Sequence, residues 1–588
     1  MRVTRGRVLS MLVVFLAVTA TLAGRLVWIQ GVASDRFAAL AAAQRERRVT
    51  LSAERGSIRD RNGALLAMSI EMQTVYANPR FVRDPRVAAG KLAPVLEVET
   101  ATLEARLRSN KGFVYLARKV PAERAEKAKA LRIPGVGSIA ESRRSYPAGR
   151  LAAHVLGFVG MDNRGLAGLE ARYDRILAGR DGRMITERDP QGRPIPGGTS
   201  SLTPPVPGDD IVLTIDRDVQ YAAEVALENA TRTYAAKGGS IIVLQPETGD
   251  ILALANEPSF DPNRFGSSPE AARRNRALVD LYEPGSANKV VTAAAAIEAG
   301  TAGLAQVFSV PDEIELAGRR FHDSHPHPRA DLTLSGVIEQ SSNVGTIQVA
   351  LGVGKDRLYD YLRRFGYGRA TGIDFPGEAG GILPEPRRWW SSSLPTIAVG
   401  QGIAATPLQV AQAYATVANG GLSVTPRLVA ATVDHSGDRH ERPRQPARRA
   451  IRPETARELT SMLLRVVEGE HGTGREAAIA GYRVAGKTGT AQKPNPAGAG
   501  YEGHVASFIG FAPAEDPKLV VAVVLDEPTP IWGGATAAPT ARDVMTFALA
   551  HLRIGPGPVH PAEGKPLPAP GRSRGGARSA NASINAQD

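Results

Sequence analysis

Residues 282–289 read YEPGSANK, and the reading of Ser286 and Lys289 behind their Pro-Gly corner decides the fold. Both residue types are common, so the spacing alone carries little weight. The next stretch adds to it: VVTAAAAIEAG is Ala-rich and apolar up to Gly300, which predicts a buried helix starting near Ser286. A helix N-terminus favours developing negative charge, and positions three apart share a face. A free serine is a weak nucleophile and needs a base beside it. A lysine can be that base only if burial or a nearby cation lowers its pKa, which calls for further polar partners.

Two such groups follow. QSSNVG supplies Ser341, Ser342 and Asn343, and AGKTGTAQ supplies Lys487, Thr488, Gly489 and Thr490. Each triplet is weak by itself; Ser-x-x-Lys, Ser-x-Asn and Lys-Thr-Gly in this order are not. Residues 481–488, GYRVAGKT, also match a phosphate-binding loop, G-x-x-x-x-G-K-T. That loop needs a buried strand before it and a helix beginning at the lysine. Here YRVA reads as strand, and AQKPNPAGAG downstream cannot be helix, so nucleotide binding is set aside. FHDSHPHP places His322, His325 and His327 close together, but its two prolines and the lack of a matching ligand set argue for a surface loop and no metal. Trp389 and Trp390 read as packing a loop edge. No Asp or Glu pair has a spacing that calls for acid–base work.

The whole chain bounds the answer further. At 588 residues it is too long for one core, and 43% hydrophobic with 22% charged residues indicates globular domains. The net charge of +13 is scattered rather than massed with aromatics, which suits an anionic surface or matrix better than a nucleic-acid groove. With no cysteine, disulfides, thiolate metal sites and cysteine nucleophiles are excluded. Arg2, Arg5 and Arg7 precede the apolar run 8–30, in which Arg25 can snorkel and Trp28 sits where an interfacial aromatic belongs. Roughly 20 apolar residues span a bilayer. Ala20 and Ala23 would permit signal cleavage, but the run continues through 26–29, which favours an uncleaved anchor with residues 1–7 in the cytoplasm. Everything after residue 31 is then expected outside it.

Beyond the anchor, 32–48 has an Ala-rich helical pattern. Asn62-Gly63, between SIRDR and ALLAM, predicts a hairpin. Short strands and charged helices, such as 98–108 and 121–130, continue to about 205, with no polar cluster that suggests chemistry. GGTSSLTPPVPGDD (197–210) is the candidate boundary. A second domain opens with IVLTID and an amphipathic helix over about 217–235, then the strands SIIVLQ and ILALA. Near its end, FIGFAP and LVVAVVLDE form a strand pair. Between these lie helices, one capped by Thr406-Pro407 and stopped at Asn419-Gly420. The expected fold is α+β: one antiparallel sheet closed by pairing the two ends of the domain, with helices packed around it. Residues 555–588 lack any apolar period and read as a disordered tail.

The three motifs together are the signature of the penicillin-recognising acyl-serine transferases, and the resemblance extends over almost the whole chain. RGSIRDRNGALLA and YPAGRLAAHVLGFVG…GLAGLEARYD (146–174) resemble the non-catalytic, dimerisation-type pedestal of a class B penicillin-binding protein. GDDIVLTIDRDVQ, GQGIAATPLQVAQAYATVANGG and ASFIGFAPAEDPKLVVAVVLDEP resemble its transpeptidase domain. No glycosyltransferase domain precedes the pedestal, unlike in class A enzymes. The implied plan is a cytoplasmic tail 1–7, an anchor 8–30, an elongated mixed pedestal 31–207, a transpeptidase domain 208–554 and a tail 555–588.

The resemblance also implies roles. Ser286 would attack a D-Ala-D-Ala peptide carbonyl of a peptidoglycan stem, and neutral Lys289 would take its proton. Asn343 would bond Lys289 and the substrate amide, and Ser341 would relay a proton to the departing amine. The charge of Lys487, on an edge strand, would help keep Lys289 neutral and, with Thr488 and Thr490, attract a carboxylate. Gly489 would leave room for the ligand backbone. The oxyanion hole would use the backbone N–H groups of Ser286 and Thr490, each worth about 3–4 kcal/mol. No metal or organic cofactor is implied; β-lactams would acylate the same serine. The short link MDNR between Gly160 and Gly165 resembles FtsI-type division transpeptidases, whose expected partners are an FtsW-like glycosyltransferase and other divisome proteins. An elongation-type enzyme, a β-lactam hydrolase or sensor, and a catalytically impaired scaffold are the alternatives. One departure stands out: the family's usual Ser-Thr-Phe-Lys is Ser-Ala-Asn-Lys here. Residues between Ser286 and Lys289 point off their shared face, so Ala287 and Asn288 read as altered packing.

Overall fold

A computed structural model describes residues 5–37, 46–187, 200–495, 498 and 500–557. The first four residues, the middle of the Ala-rich stretch (38–45), the start of the boundary segment (197–199) and the tail from 558 lie outside the described residues. The apolar run is a helix, Arg5–Val27, extended by a wider turn over Trp28–Val32. At 28 residues, with a mean hydropathy of 2.1 over an 18-residue stretch, it is long and apolar enough to cross a membrane. The helical expectation over 32–48 fails at its end: Glu46–Leu51 is a strand paired antiparallel with Gly182–Glu187, where a ladder satisfies the backbone.

The Asn62-Gly63 hairpin forms as expected. Asp60 Oδ1 accepts from Asn62 N and Ala64 N, and Gly63 takes the left-handed φ of 89°. Its second arm, Leu65–Ala77, lies between Val114–Val120 and Val136–Ser145. Helices Thr100–Leu107 and Ala122–Ala130 match expectation, and with Pro85–Leu96 they bury Leu92, Leu103, Leu107 and Leu116 against these strands. A polar cluster unseen in the sequence lies below. Glu170 is fully buried between Arg55, at 2.7 Å, and Arg144, at 2.6 Å, and Arg55 also reaches Asp174 at 2.7 Å. Three distant segments, around Arg55, Arg144 and Glu170–Asp174, are pinned by charge-assisted bonds.

The boundary segment is more than a spacer. Ser200–Thr203 pairs with Gly182–Glu187, and Asp210–Leu213 lies between Ile58–Arg59, in parallel, and Val429–Val433. IVLTID thus joins a sheet that runs through both units rather than the sheet beside the motifs. That second sheet has five antiparallel strands in the order Ile251–Glu257, Gly238–Leu244, Leu519–Asp526, Tyr501–Ala512, Ala485–Pro494. Pairing of Leu519–Asp526 with Gly238–Leu244 closes the two ends, as expected. Alternation along the strands feeds two cores. Ile241, Val243, Val521 and Val523 pack with helices Arg217–Thr233 and Ala537–His551. Ile242, Leu244, Val520 and Ala522 face helices Lys289–Glu298, Pro407–Ala418 and Pro453–Glu468. Thr406 and Gln409 form a reciprocal cap at the start of Pro407–Ala418. The chain stays packed past His551: Ile554 lies against the first of these cores and its carbonyl accepts from Tyr482 OH at 2.6 Å.

Candidate active site

Ser286 sits in a single tight turn, Gly285–Asn288, that runs into helix Lys289–Glu298. Gly285 has a φ of 53° and its N–H donates to Gly400 O at 3.0 Å. A side chain there would meet Ala491 Cβ at 3.0 Å and lie 3.4 Å from Thr490 O, so the turn is pressed against the edge strand Ala485–Pro494. The fold thereby joins the first and third motifs. The second arrives on helix Asn343–Val353, whose N-cap is Ser342, with Oγ accepting from Gly345 N at 2.9 Å.

Lys289 is fully buried. Its Nζ lies 2.5 Å from Ser341 O, 2.7 Å from Asn343 Oδ1 and 3.3 Å from Ser341 Oγ. A neutral amine has two N–H donors and one lone pair, so two acceptors and one hydroxyl suit it. Ser341 has a φ of 60°, a left-handed conformation that costs energy for a residue with a Cβ and that aims both its carbonyl and hydroxyl at the lysine. Burial lowers the Lys289 pKa to about 7, opposed by the negative charge of Asp323. Lys487 is also fully buried, and burial together with the charge of Lys289 holds its pKa well below the usual lysine value. Two facing ammonium groups cannot both stay charged in such a site. Lys487 Nζ donates to Thr488 O at 3.3 Å, and Thr488 Oγ1 pairs with Thr473 Oγ1 at 2.8 Å. A Cβ on Gly489 would fall 2.3 Å from Ser507 Oγ and 3.3 Å from Pro284 O, so only glycine lets strand and turn approach.

A cleft of about 490 Å³ opens over these groups. Ser286, Ser341, Asn343, Thr488 and Thr490 line it; Lys289 and Lys487 lie beneath. The arrangement can activate a hydroxyl, receive its proton on a buried amine and hold an anion near the strand.

Sequence reasoning missed several contributors. FHDSHPHP is largely exposed, as expected of a surface loop, but Asp323 turns inward: its Oδ1 accepts from Asn343 N at 2.5 Å and Val344 N at 2.9 Å, and Oδ2 faces His327 Nε2 at 3.0 Å. A carboxylate on the orphan N–H groups of a helix start is favoured, and here it fixes Asn343. His325 and Trp532 line the cleft with their rings 5.5 Å apart. Gly533 N donates to Thr490 Oγ1 at 3.1 Å. As expected, Asn288 points away from the partners of Lys289: its Nδ2 donates to Ile397 O at 3.0 Å. GYRVAGKT leads into a strand and not a helix, which removes the phosphate-loop reading. Trp389 Nε1 donates to Pro384 O, and Trp390 is exposed. Among the described residues, Asp216, Asp218 and His551 are the one group close enough to share a metal ion, and Asp216 is occupied there in capping a helix.

The family profile described as "Penicillin binding protein transpeptidase domain" matches residues 239–546. The chain belongs to that family. The "Penicillin-binding Protein dimerisation domain" matches residues 50–213. Among curated relatives, penicillin-binding protein PbpB of Mycolicibacterium smegmatis is 37% identical over 87% of this chain and 85% of its own length. Peptidoglycan D,D-transpeptidase FtsI of Escherichia coli K12 is 35% identical over 91% of this chain and 90% of its own. Among solved structures, penicillin binding protein 3 of Mycobacterium tuberculosis in complex with aztreonam superposes with a TM-score of 0.69 at 32% identity, covering 87% of this chain and 98% of that one. This penicillin-binding protein therefore combines an N-terminal apolar helix, a dimerisation domain and an α+β transpeptidase domain.

Proposed function

We propose that this penicillin-binding protein is a serine D,D-transpeptidase that cross-links peptidoglycan stem peptides and is a target of β-lactams. The observation that carries the reading is the Lys289 amine, fully buried, bonded to Ser341 and Asn343, and with a pKa near 7. Ser286 Oγ attacks the carbonyl carbon of the D-Ala-D-Ala bond and Lys289 takes its proton. The oxyanion forms against the N–H groups of Ser286 and Thr490. As the C–N bond breaks, Ser341 passes a proton to the leaving nitrogen and D-alanine departs, leaving an ester on Ser286. An acceptor amine then attacks that ester, its nitrogen loses a proton, and Ser286 regains one. Asn343 holds the donor amide. Lys487, Thr488 and Thr490 hold its terminal carboxylate, with Gly489 giving the backbone room. A bound carboxylate favours protonation of Lys487, which in turn favours neutral Lys289.

The FtsI relative and the short 161–164 link support a role in septal wall synthesis, with an FtsW-like glycosyltransferase and other divisome proteins as partners. Helix Arg5–Val27 would be a single-pass anchor in the cytoplasmic membrane, N-terminus inside, with pedestal and catalytic domains outside. The pedestal would end near residue 207.

The test is intact mass after adding benzylpenicillin to the protein beside Ser286→Ala. A lasting one-to-one adduct, absent from the variant, is expected. Rapid adduct loss with hydrolysed drug would mean a hydrolase, and no adduct on folded protein would overturn the enzyme reading.

A further inference from the structure

Asn288 is fully buried, and only half of its amide is used. Nδ2 donates to Ile397 O, while Oδ1 is buried without a hydrogen-bond partner. A buried acceptor left unmade lowers stability, and an apolar residue of like volume would remove that loss. Packing alone therefore does not account for an amide here.

The segment it reaches is tied three more times to the Ser286 turn or to the residues that flank it. Gly285 N donates to Gly400 O at 3.0 Å, Thr292 Oγ1 donates to Ala398 O at 2.8 Å, and Gly402 N donates to Glu283 Oε1 at 2.9 Å. Gly400 and Gly402 have φ values of 82° and 70°. A Cβ on Gly400 would lie 2.1 Å from Gly285 O and 2.8 Å from Asn288 Cβ, so the close approach is built from both sides. Between and beside these glycines, Gln401 and Val399 line the same cleft as Ser286, Thr488 and Thr490.

We infer that Asn288 is a positioning residue: its bond to Ile397 O sets the spacing between the Ser286 turn and the cleft wall formed by Val399 and Gln401, and so governs which acyl groups Ser286 accepts. Asn288 touches no substrate; it acts through the wall. The inference rests on Ser286 being the nucleophile.

The test compares two drugs that share one reactive ring. Benzylpenicillin carries a bulky acyl side chain, and 6-aminopenicillanic acid carries a bare amine. Second-order acylation rates are measured for both on the full-length chain in detergent, for wild type and Asn288→Leu. The leucine keeps the volume and removes both polar atoms. The expected result is equal or higher thermal stability, with the rate ratio between the drugs changed about threefold to tenfold, the size of one neutral hydrogen bond. A purely structural role would leave that ratio where it was. Should the leucine variant not fold, Asn288→Ala cuts the same tie and gives the same reading. An unchanged ratio in a folded variant overturns this inference alone. If the wild type is acylated by neither drug, the nucleophile reading falls and this inference with it.

Discussion

Replacing Lys289 by Met separates the burden of a buried amine from its chemistry. An unfolded lysine titrates near 10.5, and the folded Lys289 near 7. Between those values the unfolded chain holds a proton that the folded one lacks, so stability rises with pH by about 1.4 kcal/mol per pH unit. The integrated loss is roughly 5 kcal/mol, complete below pH 7 and gone above 10.5. Lys289→Met removes that titration. It also strips the bonds to Ser341 O and Asn343 Oδ1, but that loss does not depend on pH and shifts the curve without tilting it. Lys487 is depressed in the same direction chiefly by its own burial, which the variant keeps, so its tilt is largely shared by the two proteins; only the smaller part due to the Lys289 charge is lost with the lysine. Urea unfolding of the two detergent-solubilised proteins at several pH values from about 7.5 to 9.5 should show the variant gaining on the wild type as pH falls, by about 2.7 kcal/mol over that range. Acylation should be lost throughout. Parallel stability curves would refute the claim that Lys289 is held largely neutral by burial.

The same titration predicts that wild-type acylation climbs about tenfold between pH 6 and pH 8, because only the neutral amine accepts the serine proton; a flat stopped-flow profile would contradict it. Asp323→Asn keeps an oxygen for Asn343 N and Val344 N but removes the charge that raises Lys289, so the acid limb of that profile should move to lower pH, while Asp323→Ala should also lose about 1–3 kcal/mol of stability. Gly533→Ala would place a Cβ 2.3 Å from Ser507 O and 2.4 Å from Gly489 O, backbone atoms of two strands. The expected result is about 1–3 kcal/mol lost in denaturant melts and slower acylation as the Thr490 contact loosens. Glu170→Ala leaves Arg55 and Arg144 buried without their shared carboxylate, which should cost about 3–5 kcal/mol yet leave acylation of the folded fraction unchanged.

The motif residues were legible because their chemistry is local. Ser286 and Lys289 share one turn of helix, and Lys487 to Thr490 lie on one strand, so residue type and order pointed to the site before any distance was known. The closed sheet was legible for a similar reason: Gly238–Leu244 and Leu519–Asp526 are almost wholly apolar and must be covered on both faces. What stayed hidden depends on partners far away in sequence. Asp323 is one carboxylate in a polar, proline-broken loop, and nothing nearby says that it caps a helix beginning at Asn343. Glu170 looks like an ordinary charged helix residue until Arg55, from a loop, and Arg144, from a strand, arrive from elsewhere in the fold. The strand Asp210–Leu213 has the composition of the neighbouring sheet but pairs with Ile58–Arg59, because backbone ladders are indifferent to domain membership.

Asn288 sits between these cases. Helical geometry alone gives the direction of its side chain, away from the Lys289 partners, and that much could be read from Ser-Ala-Asn-Lys. Its destination could not, since Ile397 O is more than a hundred residues away. The same division runs through the site. Each reactive group is named by its type, but its tuning comes from remote backbone: Ser341 O on Lys289, Asn343 and Val344 N–H on Asp323, Ile397 O on Asn288. Substitutions that spare every motif residue and shift one of these backbone segments should therefore change acylation rate and selectivity before they change the fold.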